Sequence, residues 1–343
     1  MSQFVFGSTA RISDLPERPV ELEEVPRDVW ATGDYVAVEI LDGPGLPYFV
    51  EAPSGRMAMA GAGDTLVGAL GRRAATLDTV GDWTAVGEDL VLHPLTAAGV
   101  IGKVTSRANF MAPLPEAGYR GHVLRDGRRC AMADFVDAPA DGHPEAPVIL
   151  IIGTSMDSGK TVAACEIVRA LKAMGLRVAG AKLTGVGRYR DILAMSDSGA
   201  DFIADFIDGG LPSTAVDEED YQRALRIVMS KLAAARPDVI VAEAAASPLE
   251  PYNGSTAVRE LDDRLCCTVL CPMDPYAVVG VMTAFGTRPD LVSGRATTTD
   301  AAIALVERLT GISAINLLER SSVAPLSRLL ADRLDTAGVR VPS

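Results

Sequence analysis

The chain has 343 residues, 48% of them apolar, and a formal net charge of -13. That length suits two domains and the apolar content suits a full core in each, while the acidic balance excludes nucleic acid and anionic membrane surfaces as principal partners. No apolar run approaches a membrane span, and the N-terminus MSQFVFGSTARISDLPERP has no basic segment followed by an apolar core, so a cytoplasmic protein is expected.

Residues 1–136 alternate short apolar runs with Gly/Asp punctuation, as in YVAVEILDGPG and VGDWTAVGEDLVLHPL. The pattern predicts strands and tight turns, arranged as a small β-barrel or sandwich of unassigned role. Residues 137–147, DAPADGHPEAP, are rich in Pro and polar residues and read as a linker.

From Val148 the texture changes to alternating strands and helices. Predicted strands are Val148–Ile152, Arg177–Lys182, Val239–Glu243, Cys267–Cys271 and Gly311–Leu317. Predicted helices are Lys160–Met174, Ser198–Ile207, Glu218–Ala235, Ala277–Phe285, Asp300–Leu309 and Ala324–Leu334. The expected class is therefore α/β, a P-loop NTPase domain over 148–343 with a mostly parallel sheet, preceded by the small β-rich domain. Ligands of such sheets sit at the carboxyl ends of the strands.

The first of those ends carries the strongest motif. The strand Val148–Ile152 stops at Gly153, and the loop Gly153, Thr154, Ser155, Met156, Asp157, Ser158 leads into Gly159-Lys160-Thr161-Val162 and a helix. Unpaired N–H groups at a helix N-terminus and the helix dipole attract a polyphosphate. Lys160 can reach its outer phosphates, and the Thr161 hydroxyl can ligate magnesium. The usual pattern, G-x-x-x-x-G-K-[ST], would put a glycine at Thr154, whereas this chain has it one place earlier. The strand before the loop and the helix after it supply the confirming context.

Three further strand or helix ends offer charged groups. Lys182 closes the second strand and can clamp a phosphate or a substrate carboxylate. Glu243 closes a buried strand, where a carboxylate is costly without a partner such as magnesium. Asp197, Asp201 and Asp205 are spaced four apart, which on a helix puts them on one face; Asp197, nearest the expected helix start, is the candidate second magnesium ligand, and the other two read as a solvated face. Cys266, Cys267 and Cys271 lack the paired spacing of a zinc site and read as buried strand residues. His93, His122 and His143 are scattered singly and offer no His-based triad.

The segment GTSMDSGKTVAACEIVRALKAMGLRVAGAKLTGVG resembles dethiobiotin synthetase, in which a Lys ends the strand after the P-loop helix and a later strand ends in Glu. That resemblance implies that Lys160, Thr161, Lys182 and Glu243 serve phosphate, magnesium and substrate, with Asp197 as a second magnesium carboxylate. The synthetase has a proline and then a serine after that Lys; here Leu183 and Val186 stand there. The segment VAEAAASPLEPYNGSTAVRELDDRLCCTVLCPMDP, with IADF and TGISAINLLE, is similar to the D-glutamate N-acetyltransferase family, and the likeness spans roughly residues 148–319.

These resemblances imply an ATP- and Mg2+-dependent enzyme, a ligase or transferase, with Lys160 and Lys182 in catalysis. It would activate a small acid or amino-acid substrate by phosphoryl transfer, with a homodimer as a candidate assembly. An alternative is N-acylation from coenzyme A, whose phosphates the same loop would hold. A third is a nucleotide-dependent switch or chaperone.

Overall fold

The structure is a computed structural model and describes residues 3–138, 145–244 and 247–340. Most of the expected linker, residues 139–144 and with it His143, lies outside the described residues. The chain divides into two compact units. The first takes residues up to 138 together with 186–190 and 206–224, and the second takes the rest.

The first unit is mainly β. Its strands are β1 (Phe4–Phe6), β2 (Glu21–Glu23), β3 (Tyr35–Ile40), β4 (Tyr48–Glu51), β5 (Met57–Ala60), β6 (Thr65–Leu70), β7 (Arg72–Ala74), β8 (Thr79–Asp82), β9 (Val91–Pro94), β10 (Val100–Arg107), β11 (Ala117–Arg125) and β12 (Arg128–Arg129). Pairing runs β6–β3–β11–β9–β10, and a parallel pairing of β10 with β6 closes the ring. Of the two architectures expected, the barrel is the one formed. Val36, Val38, Ile40, Leu66, Leu70, Leu92 and Ile101 fill its interior, as period-two alternation on closed strands requires. His122 is fully buried, with its ring nitrogens 2.6 Å from the Tyr119 hydroxyl and 3.2 Å from an Asp34 carboxylate oxygen. It is a satisfied core histidine.

The sequence places a single break near residues 137–147, whereas two later segments belong to the first unit. Their apolar residues explain this: Phe206, Ile207, Leu211 and Ala224 join Tyr35, Ala37, Val67 and Met132 in one buried cluster. Arg11 ion-pairs with Asp208 at 2.9 Å and lies 4.5 Å over the ring of Tyr189. A buried carboxylate fastens the shorter segment. Glu51 accepts bonds from the Ser8 hydroxyl (2.7 Å) and from the peptide N–H groups of Tyr189 (2.7 Å) and Arg190 (2.9 Å). Glu51→Gln turns one acceptor into a donor facing these donors. It is expected to lower stability by about 2–4 kcal/mol; a denaturant midpoint unchanged from wild type would refute the fastening role.

The second unit is a six-stranded sheet, entirely parallel, in the order β15–β14–β16–β13–β17–β18. Its strands are β13 (Val148–Gly153), β14 (Val178–Thr184), β15 (Phe202–Asp205), β16 (Val239–Ala244), β17 (Leu265–Cys271) and β18 (Leu291–Val292). The helices are α1 (Lys160–Ala173), α2 (Tyr189–Asp197), α3 (Glu218–Ala234), α4 (Gly254–Leu261), α5 (Pro275–Phe285), α6 (Asp300–Thr310) and α7 (Val323–Thr336), with the first residues of α2 and of α3 belonging to the first unit. The expected α/β class with a β-rich N-terminal region is the observed one. Strands β13, β14 and β16 are buried along their whole length, which explains their unbroken apolar runs.

Two expected elements differ. The helix predicted over Ser198–Ile207 is strand β15: α2 ends at Asp197, and the N–H of Ala200 closes onto the Met195 carbonyl. Phe202 and Ile203 then extend and pair with β14, so a long-range ladder overrides the local spacing. Residues 311–317 contribute only a parallel bridge, Ala314 to Val292, instead of a strand.

Candidate functional site

The loop Gly153–Thr161 leaves the carboxyl end of β13, near the middle of the sheet. Gly153 pairs with Cys271 of β17. The Thr154 hydroxyl accepts the N–H of Met273 at 3.1 Å. Lys160, 5% exposed, donates to the Ser155 carbonyl (2.7 Å) and lies 3.3 Å from the Ser158 hydroxyl. Its ammonium is therefore folded back over the loop. Met156 is half-buried and Asp157 exposed, whereas Ser158 is buried, and Val162 faces outward from the first turn of α1.

Asp157 and Gly159 have φ of 55° and 102°, a left-handed backbone that reverses the chain before the helix. The loop is also held from outside. Arg295, just past β18, donates its backbone N–H to the Ser158 carbonyl (3.1 Å) and its Nε to the Asp157 carbonyl (2.7 Å).

Strand register brings the charged groups together. Lys182 on β14 is level with Glu243 on β16 and with Asp205 on β15, and Glu243 is level with Ile151 on β13. All three charged residues are buried. The Glu243 carboxylate accepts the Thr161 hydroxyl at 3.1 Å. Lys182 Nζ lies 2.5 Å from the Asp191 carboxylate, near the start of α2. Burial pushes the Glu243 carboxyl above its ordinary value, against the pull of Lys182 and Lys160. Burial also works against the charge of Lys182, but Asp191, Glu243 and Asp205 outweigh it and hold the ammonium above its usual value.

The pair Thr161–Glu243 suits magnesium. A hydroxyl and one carboxylate converge, and a magnesium ion in such sites completes its shell with water and phosphate oxygens. Among the described residues no group of three or more His, Cys, Asp or Glu has metal-binding spacing, so a dedicated cage is not what these residues build. Asp197, the expected second carboxylate, is not part of the arrangement. It is exposed at the C-terminal end of α2, immediately before the turn that leads into the start of β15, so it sits toward the edge where strands begin. Asp201 lies there too, bound to Lys172 at 2.7 Å and to the N–H of Val178 at the start of β14.

Sequence reasoning missed Asp191, Asp205 and Arg295 as site residues. Asp205 had a signal, since FIAD ends in an acid as VIVAE does. Cys267 and Cys271 are buried and Cys266 is half-buried: burial pushes the thiols of Cys266 to about 11 and Cys271 to about 12, and raises Cys267 as well. At those values they are inert at neutral pH.

No protein-family model matches the chain, and no curated protein matches it in sequence. Among solved structures, HypB from Helicobacter pylori in complex with nickel is 15% identical, with a TM-score of 0.38, covering 58% of this chain and 92% of that one. Hydrogenase maturation factor HypB from Archaeoglobus fulgidus has the same identity and score over 55% and 91%. The signal recognition particle 54 kDa protein from Aeropyrum pernix in complex with GDP is 13% identical, with a TM-score of 0.35, over 61% and 51%. Likeness at this level carries no argument about activity. The parallel strand order and the loop after β13, with Lys160, Thr161 and Glu243 converging on it, give the second unit a parallel α/β fold with a strand–loop–helix turn of phosphate-binding form at a strand's carboxyl end.

Proposed function

We propose that the protein is a magnesium-dependent nucleoside triphosphatase whose bound-nucleotide state acts as a switch. The observation that carries this reading is the placement of Lys160, the Thr161–Glu243 pair and Lys182 at neighbouring strand ends. Lys160 and the loop N–H groups take the phosphates. Thr161 and Glu243 hold magnesium, which when bound neutralises phosphate oxygens. Lys182, kept charged by its carboxylates, faces the charge that develops on the transferred phosphoryl group. Water is the acceptor in this reading, which needs no second substrate.

A second reading, activation of a small acid or amino acid in the manner of dethiobiotin synthetase, is favoured by one feature. The level row Asp205–Lys182–Glu243 is a polar floor on which an amine-bearing substrate can rest. The coenzyme A reading depends on the loop alone, which reads phosphate geometry without distinguishing the two donors.

Phosphate release is measured with ATP and with GTP, each with magnesium, in the presence and absence of candidate amino acids, and thermal shift is recorded with both nucleotides and acetyl-CoA. The switch reading expects slow release that needs no small molecule and falls about 100-fold or more in Lys160→Ala. Release that begins only on adding an acid or amine favours the synthetase reading. A thermal shift with acetyl-CoA alone favours acyl transfer. The nucleotide reading fails if no condition releases phosphate and Lys160→Ala binds nucleotide as well as wild type.

A further inference from the structure

Arg295 makes two bonds to the phosphate loop from a segment more than 130 residues further along the chain. Its backbone N–H and Nε hold the carbonyls of Ser158 and Asp157, at 3.1 and 2.7 Å. The peptide bonds Asp157–Ser158 and Ser158–Gly159 are trans. In a trans peptide the C=O and the following N–H point in opposite directions. Fixing these two carbonyls on Arg295 therefore turns the N–H groups of Ser158 and Gly159 away from it. Those N–H groups stand directly before the first turn of α1, where backbone donors are available to a phosphate.

The approach of the two segments is close. Gly294 has a φ of 82°, and a Cβ built on it would lie 2.3 Å from the Ser158 carbonyl oxygen; a Cβ on Gly159 would lie 2.9 Å from the Gly294 Cα. Both glycines are thus needed for the two backbones to touch. Ser293 is buried beside them and donates its N–H to the Leu270 carbonyl of β17 at 2.9 Å, so the segment is anchored to the sheet. Arg295 is exposed as a whole. A surface arginine spending its Nε on a loop carbonyl adds orientation to that loop and little to the core.

We propose that Arg295, presented by Gly294, is a positioning residue for polyphosphate binding: it aims the Ser158 and Gly159 N–H groups at the ligand. This deepens the nucleotide reading and rests on it. The same donors serve a nucleoside triphosphate and an inorganic polyphosphate, so a loop-aiming role affects both alike.

The test measures dissociation constants of ATP, GTP and inorganic tripolyphosphate, each with magnesium, for wild type, Arg295→Ala and Gly294→Ala, together with the ligand-free Tm. Arg295→Ala is expected to weaken tripolyphosphate and the preferred nucleotide alike by about 10-fold or more, with a ligand-free Tm within about 2 °C of wild type. Gly294→Ala, which pushes the segment off the loop, is expected to weaken them at least as much. Wild-type affinities in both variants overturn the proposal while leaving nucleotide binding intact, as does a lowered Tm with unchanged affinities. Loss confined to nucleotides and absent for tripolyphosphate also overturns it, since that assigns Arg295 to the nucleoside. A wild-type protein that binds none of the three ligands overturns both readings.

Discussion

Lys182→Met is expected to lower the stability of the ligand-free protein by about 3–5 kcal/mol. An exposed ion pair contributes about 0–1 kcal/mol, and the difference comes from burial. Lys182 is 4% exposed, lies 2.5 Å from Asp191, and shares its level with Glu243 and Asp205, themselves buried. Methionine matches the volume of the stem but abandons those carboxylates in a poorly solvated place. The sign of the pH dependence separates this from ordinary packing loss. The raised pKa of Lys182 means that its contribution is fully present below the unfolded lysine value, about 10.4, and is lost only as pH rises through the folded value. Wild type therefore gains nothing from acidification by way of this lysine. In the variant Glu243, raised by burial and no longer held down by Lys182, takes up a proton more readily, so the deficit should shrink as pH falls from 8 toward 5. Adding Glu243→Gln to Lys182→Met should recover part of the loss, through a coupling of about 0.5–3 kcal/mol. Urea denaturation at several pH values decides the matter, and a deficit below about 1 kcal/mol at neutral pH would sink the account.

How much of this site the sequence discloses depends on the range of each signal. The phosphate loop is legible because strand, turn glycines, Lys160, Thr161 and helix are contiguous and each rests on local chemistry. Lys182 and Glu243 are legible as charges ending buried apolar runs, and the structure sets them side by side. The three aspartates at 197, 201 and 205 show the opposite case. Their i, i+4 spacing imitates a helix face, yet they fall at the end of α2, just before β15 and at the end of β15. Pairing with β14 decides that segment, and a window of local sequence contains no trace of its partner. The same reason hides Arg295, since nothing near residue 295 tells that the Asp157 and Ser158 carbonyls lie within hydrogen-bond reach. In the first unit, alternation announces strands, whereas closure depends on the parallel β6–β10 pairing, and the second buried cluster depends on residues 206–224 returning to a core begun by Tyr35.

Glu243→Gln is expected to separate stability from ligand binding in opposite directions. Burial raises the Glu243 pKa above its ordinary value of 4.5, so folding shifts this carboxyl toward its protonated form. Raised folded pKa means stability that is present below the unfolded value and is lost as pH climbs through the folded one. At neutral pH wild type therefore holds a costly buried carboxylate, relieved in part by Lys182, Lys160 and the Thr161 hydroxyl. Glutamine removes that charge and keeps an oxygen for Thr161. The ligand-free variant should be as stable as wild type or more so, and the advantage should grow between pH 5 and 8. Binding should go the other way, because a neutral amide is a poor magnesium ligand. The tightening of nucleotide binding by magnesium should fall by at least about 10-fold, whereas affinity measured without the metal should hold or improve as charge repulsion with phosphate is relieved. In wild type the same tightening should weaken as pH drops and Glu243 takes up a proton, and in the variant this pH dependence should vanish. Titrations with and without magnesium at two pH values test each part. A variant that loses stability and keeps its full magnesium response would show that the carboxylate serves the core; the opposite pattern identifies a residue kept at a cost to folding for the ion it holds.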